Sequence, residues 1–323
     1  MKRTRFALLA LCALLLPSVQ GAIVVGEPDL VTGDWYTYDG AEAMIQAELV
    51  AGWADDPDFI ALDVVNQTQL RYEILADETV SIHAVDHECE VSSGNYWMNG
   101  TLRFEPGTTA YTGDVIDVSL HHELTRWTPE VDDRSGKERI RTHTTMVFNL
   151  SGEVNEVESE IIEVRETRGD VAWPRLFSAG ETWTVDEEVD VERTTRTREN
   201  GGLWNETSIA WSADRSLHWE AIDEQVVHAG DRDSTAHDTV HIRGQLVGGN
   251  TTWEMWLAAS GLTIKQSTSV NGTLVGSLTL ADSELASREV REEIVTSGLP
   301  APAFLAGLAV FALAATRRPR SAC

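Results

Sequence analysis

"ADETVSIHAVD" (Ala76–Asp86) aligns without gaps to "ADRSLHWEAID" (Ala213–Asp223), and the reading of this pair decides the fold. Val80, Ile82 and Ala84 alternate along the first stretch. Leu217, Trp219 and Ala221 hold the same places in the second. Residues two apart share one face of a strand, so each stretch presents an apolar face to a core. Thr79, Ser81 and His83, like Ser216, His218 and Glu220, fall on the solvent face. A slip of one residue would exchange the two faces. Both stretches then reach an aspartate, Asp86 or Asp223, which favours a turn.

Two further pairs keep the same order. "GDWYTYD" (Gly33–Asp39) matches "GETWTVD" (Gly180–Asp186). "RWTPEVDDRSGKERIR" (Arg126–Arg141) and "MWLAASGLTIKQ" (Met255–Gln266) each hold a Trp, a Ser-Gly turn and an alternating strand. Three anchors in one order predict a tandem repeat, residues 22–168 and 169–293, each of domain size. The alternative is one large β domain. Elsewhere the chain is rich in Thr and Val, with short alternating runs such as "VIDVSLHHEL" and "GTLVGSLTL", punctuated by Gly, Asp and Asn. That pattern predicts a mainly antiparallel β protein. Helix candidates are few: Ala41–Val50 and Asp282–Val295.

The order of aromatic strand, meander, Trp–Ser-Gly turn and amphipathic strand resembles the lipoprotein-carrier-like half-barrels of bacterial and archaeal envelopes. The resemblance implies two tandem curved antiparallel sheets, half-barrel-like, each around an apolar cavity for a lipid or acyl chain. Eleven tryptophans stand out in this light. Trp35, Trp183, Trp219 and Trp256 are the candidate ligand contacts, because aromatics line apolar pockets. Packing between sheets is the alternative role for them.

The ends predict a location. Lys2, Arg3 and Arg5 precede the apolar run Phe6–Leu16, and Val19 and Gly21 are small residues before a cut. This is the build of a signal peptide, residues 1–21. After a linker at 294–298, Leu299–Thr316 is uncharged and is followed by Arg317, Arg318 and Arg320. Such a stretch is at the short limit of a transmembrane helix, and the arginines place residues 317–323 in the cytoplasm. The expected arrangement is an extracellular body anchored to the cell membrane at its C-terminus. The tail, with "LPAPA" at its start, also resembles the sorting tails of the PEP and PGF types. That resemblance implies a sortase-like processing enzyme as a partner, although the Pro-Glu-Pro and Pro-Gly-Phe signatures are absent.

Composition narrows the partners. The chain has 52 acidic and 25 basic residues, net −27. Six of the basic ones lie in the termini, where there is no acid, so the body is more acidic still. Such a surface repels the phosphates of nucleic acid and suits a salty external medium, where self-repulsion is screened. Of three cysteines only Cys89 lies in the body, so it has no internal disulfide partner. Six of the nine asparagines begin Asn-X-Ser/Thr sequons: Asn66, Asn99, Asn149, Asn205, Asn250 and Asn271. On an exported protein these are N-glycosylation acceptors.

Catalytic signatures are lacking. "HAVDHEC" gathers His83, Asp86, His87 and Cys89, but a turn at Asp86 would break the common face that zinc ligands need. "HHELTR" has Arg126 where the zinc-protease motif requires a second histidine. "DRDSTAHD" (Asp231–Asp238) lacks the Gly and Glu of an EF-hand loop, which leaves at most a weak external calcium site. No nucleophile elbow, phosphate loop or dinucleotide fingerprint occurs. The sequence therefore predicts no enzyme, cofactor or metal. It predicts a surface protein that holds an apolar or lipid-like ligand, with a glycosylated structural or adhesion module as the alternative and an external hydrolase third.

Overall fold

The computed structural model describes residues 23–26, 30–40, 49–50, 53, 56–107, 111–129, 135–150, 153–169, 176–230 and 235–284. The signal peptide, the linker, the apolar helix and the basic tail lie outside them, as does most of the Ala41–Val50 helix candidate. Among the described residues no helix is long and apolar enough to cross a membrane.

Alternating residues and Gly/Asn turns make strands almost throughout. They are β1 (Trp35–Asp39), β2 (Phe59–Gln67), β3 (Leu70–Ile82), β4 (Val85–Phe104), β5 (Tyr111–Pro129), β6 (Ser135–Leu150) and β7 (Glu153–Gly169), then β8 (Thr182–Glu199), β9 (Asn205–Ala229), β10 (Thr235–Leu246), β11 (Thr251–Ala258), β12 (Thr263–Val270) and β13 (Thr273–Glu284). The protein is mainly β, as expected. The two half-barrels with separate cavities are not formed. Their strands join one antiparallel sheet that closes through the β4–β5 pairing into a barrel of twelve strands, with β2 as a flank on β4. Six ring strands, β1 and β3–β7, precede residue 170 and six, β8–β13, follow it. The halves meet at two seams, β7 on β8 and β13 on β1. Neither curved sheet leaves its edges free to enclose a cavity of its own.

Equivalent points in the two halves are built alike. Gly33 and Gly180 both take φ +94°, which favours glycine. Beside them Asp34 and Glu181 accept hydrogen bonds from the N–H of Val31 and Ser178 through their carboxylates. Gly33 N donates to Ile74 O at 2.8 Å, and Gly180 N to Ala221 O at 2.7 Å. The structural partner of "LHWEA" (217–221) is thus "LRYEI" (70–74), twelve residues upstream of the end of the aligned stretch. That register explains where the sequence reading slips. Ile82 is buried, but Ala84 is exposed in a two-residue turn with His83, both at positive φ. Asp86 does not end a strand; it opens β4. Asp223 lies within β9, where the pairing to β10 is bulged. Asp282–Glu284, the start of the second helix candidate, end β13 as strand.

Inside, Trp183, Trp219 and Trp253 stack with centroids 6.5 and 6.4 Å apart. Around them Leu217, Ala221, Ile242, Met255 and Leu257 are buried to 4% exposure or less. A larger cluster runs from Tyr38, Leu70 and Tyr72 through Tyr96, Met98 and Leu102 to Ile116 and Leu120. The opposite faces of β5–β8 carry Glu123, Arg141, Glu160, Glu192 and Arg196. A barrel that spans a membrane shows lipid an apolar band; here the outer faces of β5–β8 carry charges.

The ring is not equally tall all round. β10 pairs with β9 only from Leu217 onward, and β1 with β3 only from Leu70 to Glu73. Above that level β2, β4, β5, β6, β7, β8 and the first half of β9 continue as an open curved sheet.

Because the halves share both seams, denaturation followed by circular dichroism and by tryptophan fluorescence gives one coincident transition. Two separated transitions would mean that each half folds alone. A Cβ at Gly244 would lie 2.5 Å from the Trp219 ring, so Gly244→Ala costs about 1–3 kcal/mol by overpacking. Trp219→Ala costs about 3–5 kcal/mol in the same measurement.

Candidate functional site

The tryptophan candidates do not converge. Trp219 and Trp183 belong to the core stack. Trp35 lies on β1 under the Arg71 guanidinium, 4.5 Å from its ring centre, and its Nε1 donates to Glu284 at 3.0 Å. Trp256 faces the other side of the wall, between the coplanar His241 ring at 4.5 Å and the Lys265 ammonium at 4.7 Å. Its Nε1 donates to Gln225. Each has a packing role, and the four belong to three separate places.

The histidine clusters also separate. His121 and His122 are neighbours on β5, so they point to opposite sides of the wall. His122 is buried beside Thr142 at 3.0 Å. Burial pushes its pKa down to about 4, with the charge of His121 adding to the shift. His83 docks its turn onto β7 and β8: its N–H donates to Glu166 at 2.7 Å and its Nδ1 lies 3.4 Å from Asp190. Lys137 binds the same Glu166 at 2.9 Å and also Ser81 O at 3.1 Å. Burial alone would raise the pKa of Glu166, but the Lys137 and His83 hydrogen bonds outweigh it and hold it low. Cys89 is buried and has no disulfide. Among the described residues no group of His, Cys, Asp or Glu has the spacing of a metal site. Thr235–Asp238 of the acidic loop begin β10, and 231–234 lie outside the described residues.

Sequence reading missed an ionic chain inside the barrel. Arg126 on β5 donates to Glu138 on β6 at 2.7 and 3.0 Å. Arg165 on β7 lies 3.9 Å from Glu138 and donates to Glu163 at 2.5 Å. Arg193 on β8 donates to Glu163 at 2.8 Å. Glu163 is 1% exposed. The signal was present in the alternation: Glu138 shares its face with Ile140, Thr142 and Thr144, and Glu163 with Ile161. Buried charges need such partners. The outer face has its own ladder, Glu123–Arg141–Glu160–Arg196–Glu206, with contacts of 2.6–3.5 Å. Every one of these arginines and carboxylates is held by its opposite, an arrangement that ties strands together.

A cleft of about 450 Å³ opens beside the start of β8. Arg168, Asp186, Glu188 and Asp214 line it, with the Glu187–Arg215 pair at 2.5 Å. Its walls are charged, whereas an apolar ligand needs mostly apolar lining.

The sequons have a common place. Strand directions alternate, so the turns after β4, β6, β8, β10 and β12 lie at one end of the barrel. Asn250 and Asn271 are in two of those turns, Asn149 and Asn205 are at strand ends beside two others, and Asn66, near the lower end of β2, faces Asn99 in the upper part of β4. Asn66, Asn205, Asn250 and Asn271 are exposed; Asn99 and Asn149 are half-buried, each with a buried Oδ1. Glu284, where the chain leaves toward its apolar tail, is at the other end.

Neither the protein-family models, nor the curated proteins, nor the solved structures contain a match to this chain.

The buried His122 makes a pH test. The folded form keeps the ring neutral, while the unfolded chain takes up a proton near pH 6.5. Stability is thus unaffected above that pH and falls as pH drops from 6.5 toward 4, by up to about 3 kcal/mol. His122→Gln should remove that part of the acid loss when urea unfolding is compared at pH 7 and 4.5. An equal pH dependence in the variant would refute it.

Proposed function

We propose that the protein is a non-enzymatic, glycosylated structural or adhesion module of the cell surface, anchored to the membrane by its C-terminal tail. One observation carries this reading. All six sequon asparagines lie toward one end of the barrel, and the chain departs for its apolar tail from the other. Glycans at the free end and an anchor at the opposite end suit a body that stands on a membrane and faces outward. The packed interior supports it too: side chains such as Tyr96, Met98, Leu102 and Leu257 are 0% exposed, which leaves no water-sized space beside them. The charge network inside and the ladders outside provide stiffness. An acidic surface favours neither nucleic acid nor anionic lipid as a partner.

The second reading, a carrier of an apolar or lipid-like ligand, rests on the open sheet above the ring. There Met146, Phe148, Val157 and Ile161 are only half-buried on the concave face, and Ile209 is 57% exposed. The two readings part on one measurement. The full chain is purified from its membrane without detergent exchange, extracted with organic solvent, and the extract analysed by mass spectrometry. The structural reading expects no stoichiometric lipid; one lipid per chain overturns it in favour of the carrier. Protease added to intact cells should remove the body, and a body that survives there but is digested in lysed cells would overturn the outward orientation.

A further inference from the structure

We infer that N-glycans at Asn66 and Asn205 guard the two open strand edges of the barrel against pairing with a second copy of the chain. This rests on the glycosylated-surface reading above and gives two of its sites a task.

The open sheet above the closed ring ends on two strands. Among the described residues, β2 pairs with β4 alone. Among the described residues, the first half of β9, residues 205–215, pairs with β8 alone, because β10 joins only at Leu217 and Val247 N donates to Ser216 O. An unpaired edge offers a row of N–H and C=O groups to any passing strand. Both edges suit such pairing. β2 reads "FIALDVVNQ" and exposes Ile60 (46%) and Val65 (75%). The β9 edge reads "NETSIAWSADRS" and exposes Ile209. Both are rich in residues that favour strands, and neither contains the lysine or proline that commonly blunts an edge. An antiparallel, two-fold copy of the β9 edge centred on Ala210 would set Ile209 against Trp211 of its twin.

The lower part of β3, beyond its pairing with β1, is guarded differently. The Lys137 ammonium binds Ser81 O there at 3.1 Å, and the turn that follows docks onto β7 through the His83 N–H, which donates to Glu166 at 2.7 Å. No sequon lies near it.

Each of the two upper edges instead carries an exposed sequon asparagine within its own strand: Asn66 of Asn66-Gln67-Thr68 on β2 and Asn205 of Asn205-Glu206-Thr207 on β9. A pairing strand must approach to about 4.7–4.9 Å. A bulky hydrated glycan on the edge strand itself occupies that approach. Asn250 and Asn271 sit in the β10–β11 and β12–β13 turns and not within an edge strand, so their glycans stand beyond the strand ends.

The test uses the full chain exported from a glycosylating host. Occupancy is read by mass spectrometry of glycopeptides, and association by light scattering across a concentration series. N66Q/N205Q should begin to associate at a concentration at least tenfold below that of the wild type, with an unchanged melting temperature. N250Q/N271Q should behave as the wild type. Thr207→Ser, which keeps the sequon, should also stay as the wild type. Adding Val65→Lys and Ile209→Lys to the double variant, one charge on each bared edge, should restore the monomer. The inference is overturned if N66Q/N205Q associates no more than the wild type, if N250Q/N271Q associates equally, or if Asn66 and Asn205 are bare while other sequons are filled. If all six are bare, the glycosylated-surface reading falls with it.

Discussion

Twice in this barrel a large ring lies on a neighbouring strand where there is no side chain. Trp219 covers Gly244 and Tyr72 covers Gly94; a Cβ at either glycine would lie 2.5 or 2.6 Å from the ring. The closeness lets an aromatic side chain lie flat inside a closed sheet and still leave room for what packs on it. Tyr36 stacks on Tyr72 at 5.2 Å, and Trp183 on Trp219 at 6.5 Å. Each pair sits next to the positive-φ glycine turn that starts β1 or β8. Those two strands are also the ones that cross the seams. The aromatic–glycine contact therefore fixes the place where each half of the ring is joined to the other, and the remaining strands follow by hairpins.

Charge has a different role on each side of the wall. Outside, ladders alternate in sign across β5–β9, so a very acidic chain avoids concentrating like charges on adjacent strands, which would be destabilising. Exposed pairs of this kind contribute little singly. Inside, Glu138 and Glu163 are enclosed by Arg126, Arg165 and Arg193. Such a buried network is a poor source of net stability against apolar packing, but breaking it by removing one member is costly. It therefore restricts the register of β5–β8, since a slip of one residue would strand charges without partners. Where the wall is apolar, from β9 to β13, the Trp stack restricts the register instead.

The two levels of the barrel divide its work. The closed level joins the strands all round over a packed interior. The upper level is open, carries four of the six sequons, and is bounded by β2 and β9. This geometry gives the molecule a definite polarity: one end receives the chain termini of the ring, the other the asparagine-rich turns.

Much of the fold was legible from local pattern. The β class followed from period-two alternation, and the burial of Ile82, Leu217, Trp219 and Ala221 from the face they share. The Gly-acid-aromatic pair at 33–39 and 180–186 marked the starts of β1 and β8, because a positive-φ glycine and a capping carboxylate act within a few residues. The sequons were legible for the same reason. Closure was not. Whether two curved sheets each shield a cavity or close on one another depends on hydrogen bonds between residues such as Trp35 and Glu284, which no short-range pattern encodes. The turn at His83–Ala84 was misplaced because alternation alone cannot say where a strand stops. The tryptophans were legible as aromatic but not as core or pocket, since that depends on which strand lies opposite. The free edges of β2 and β9 exist only because β1 and β10 are short relative to their neighbours, a difference in strand height that appears once the ring is closed.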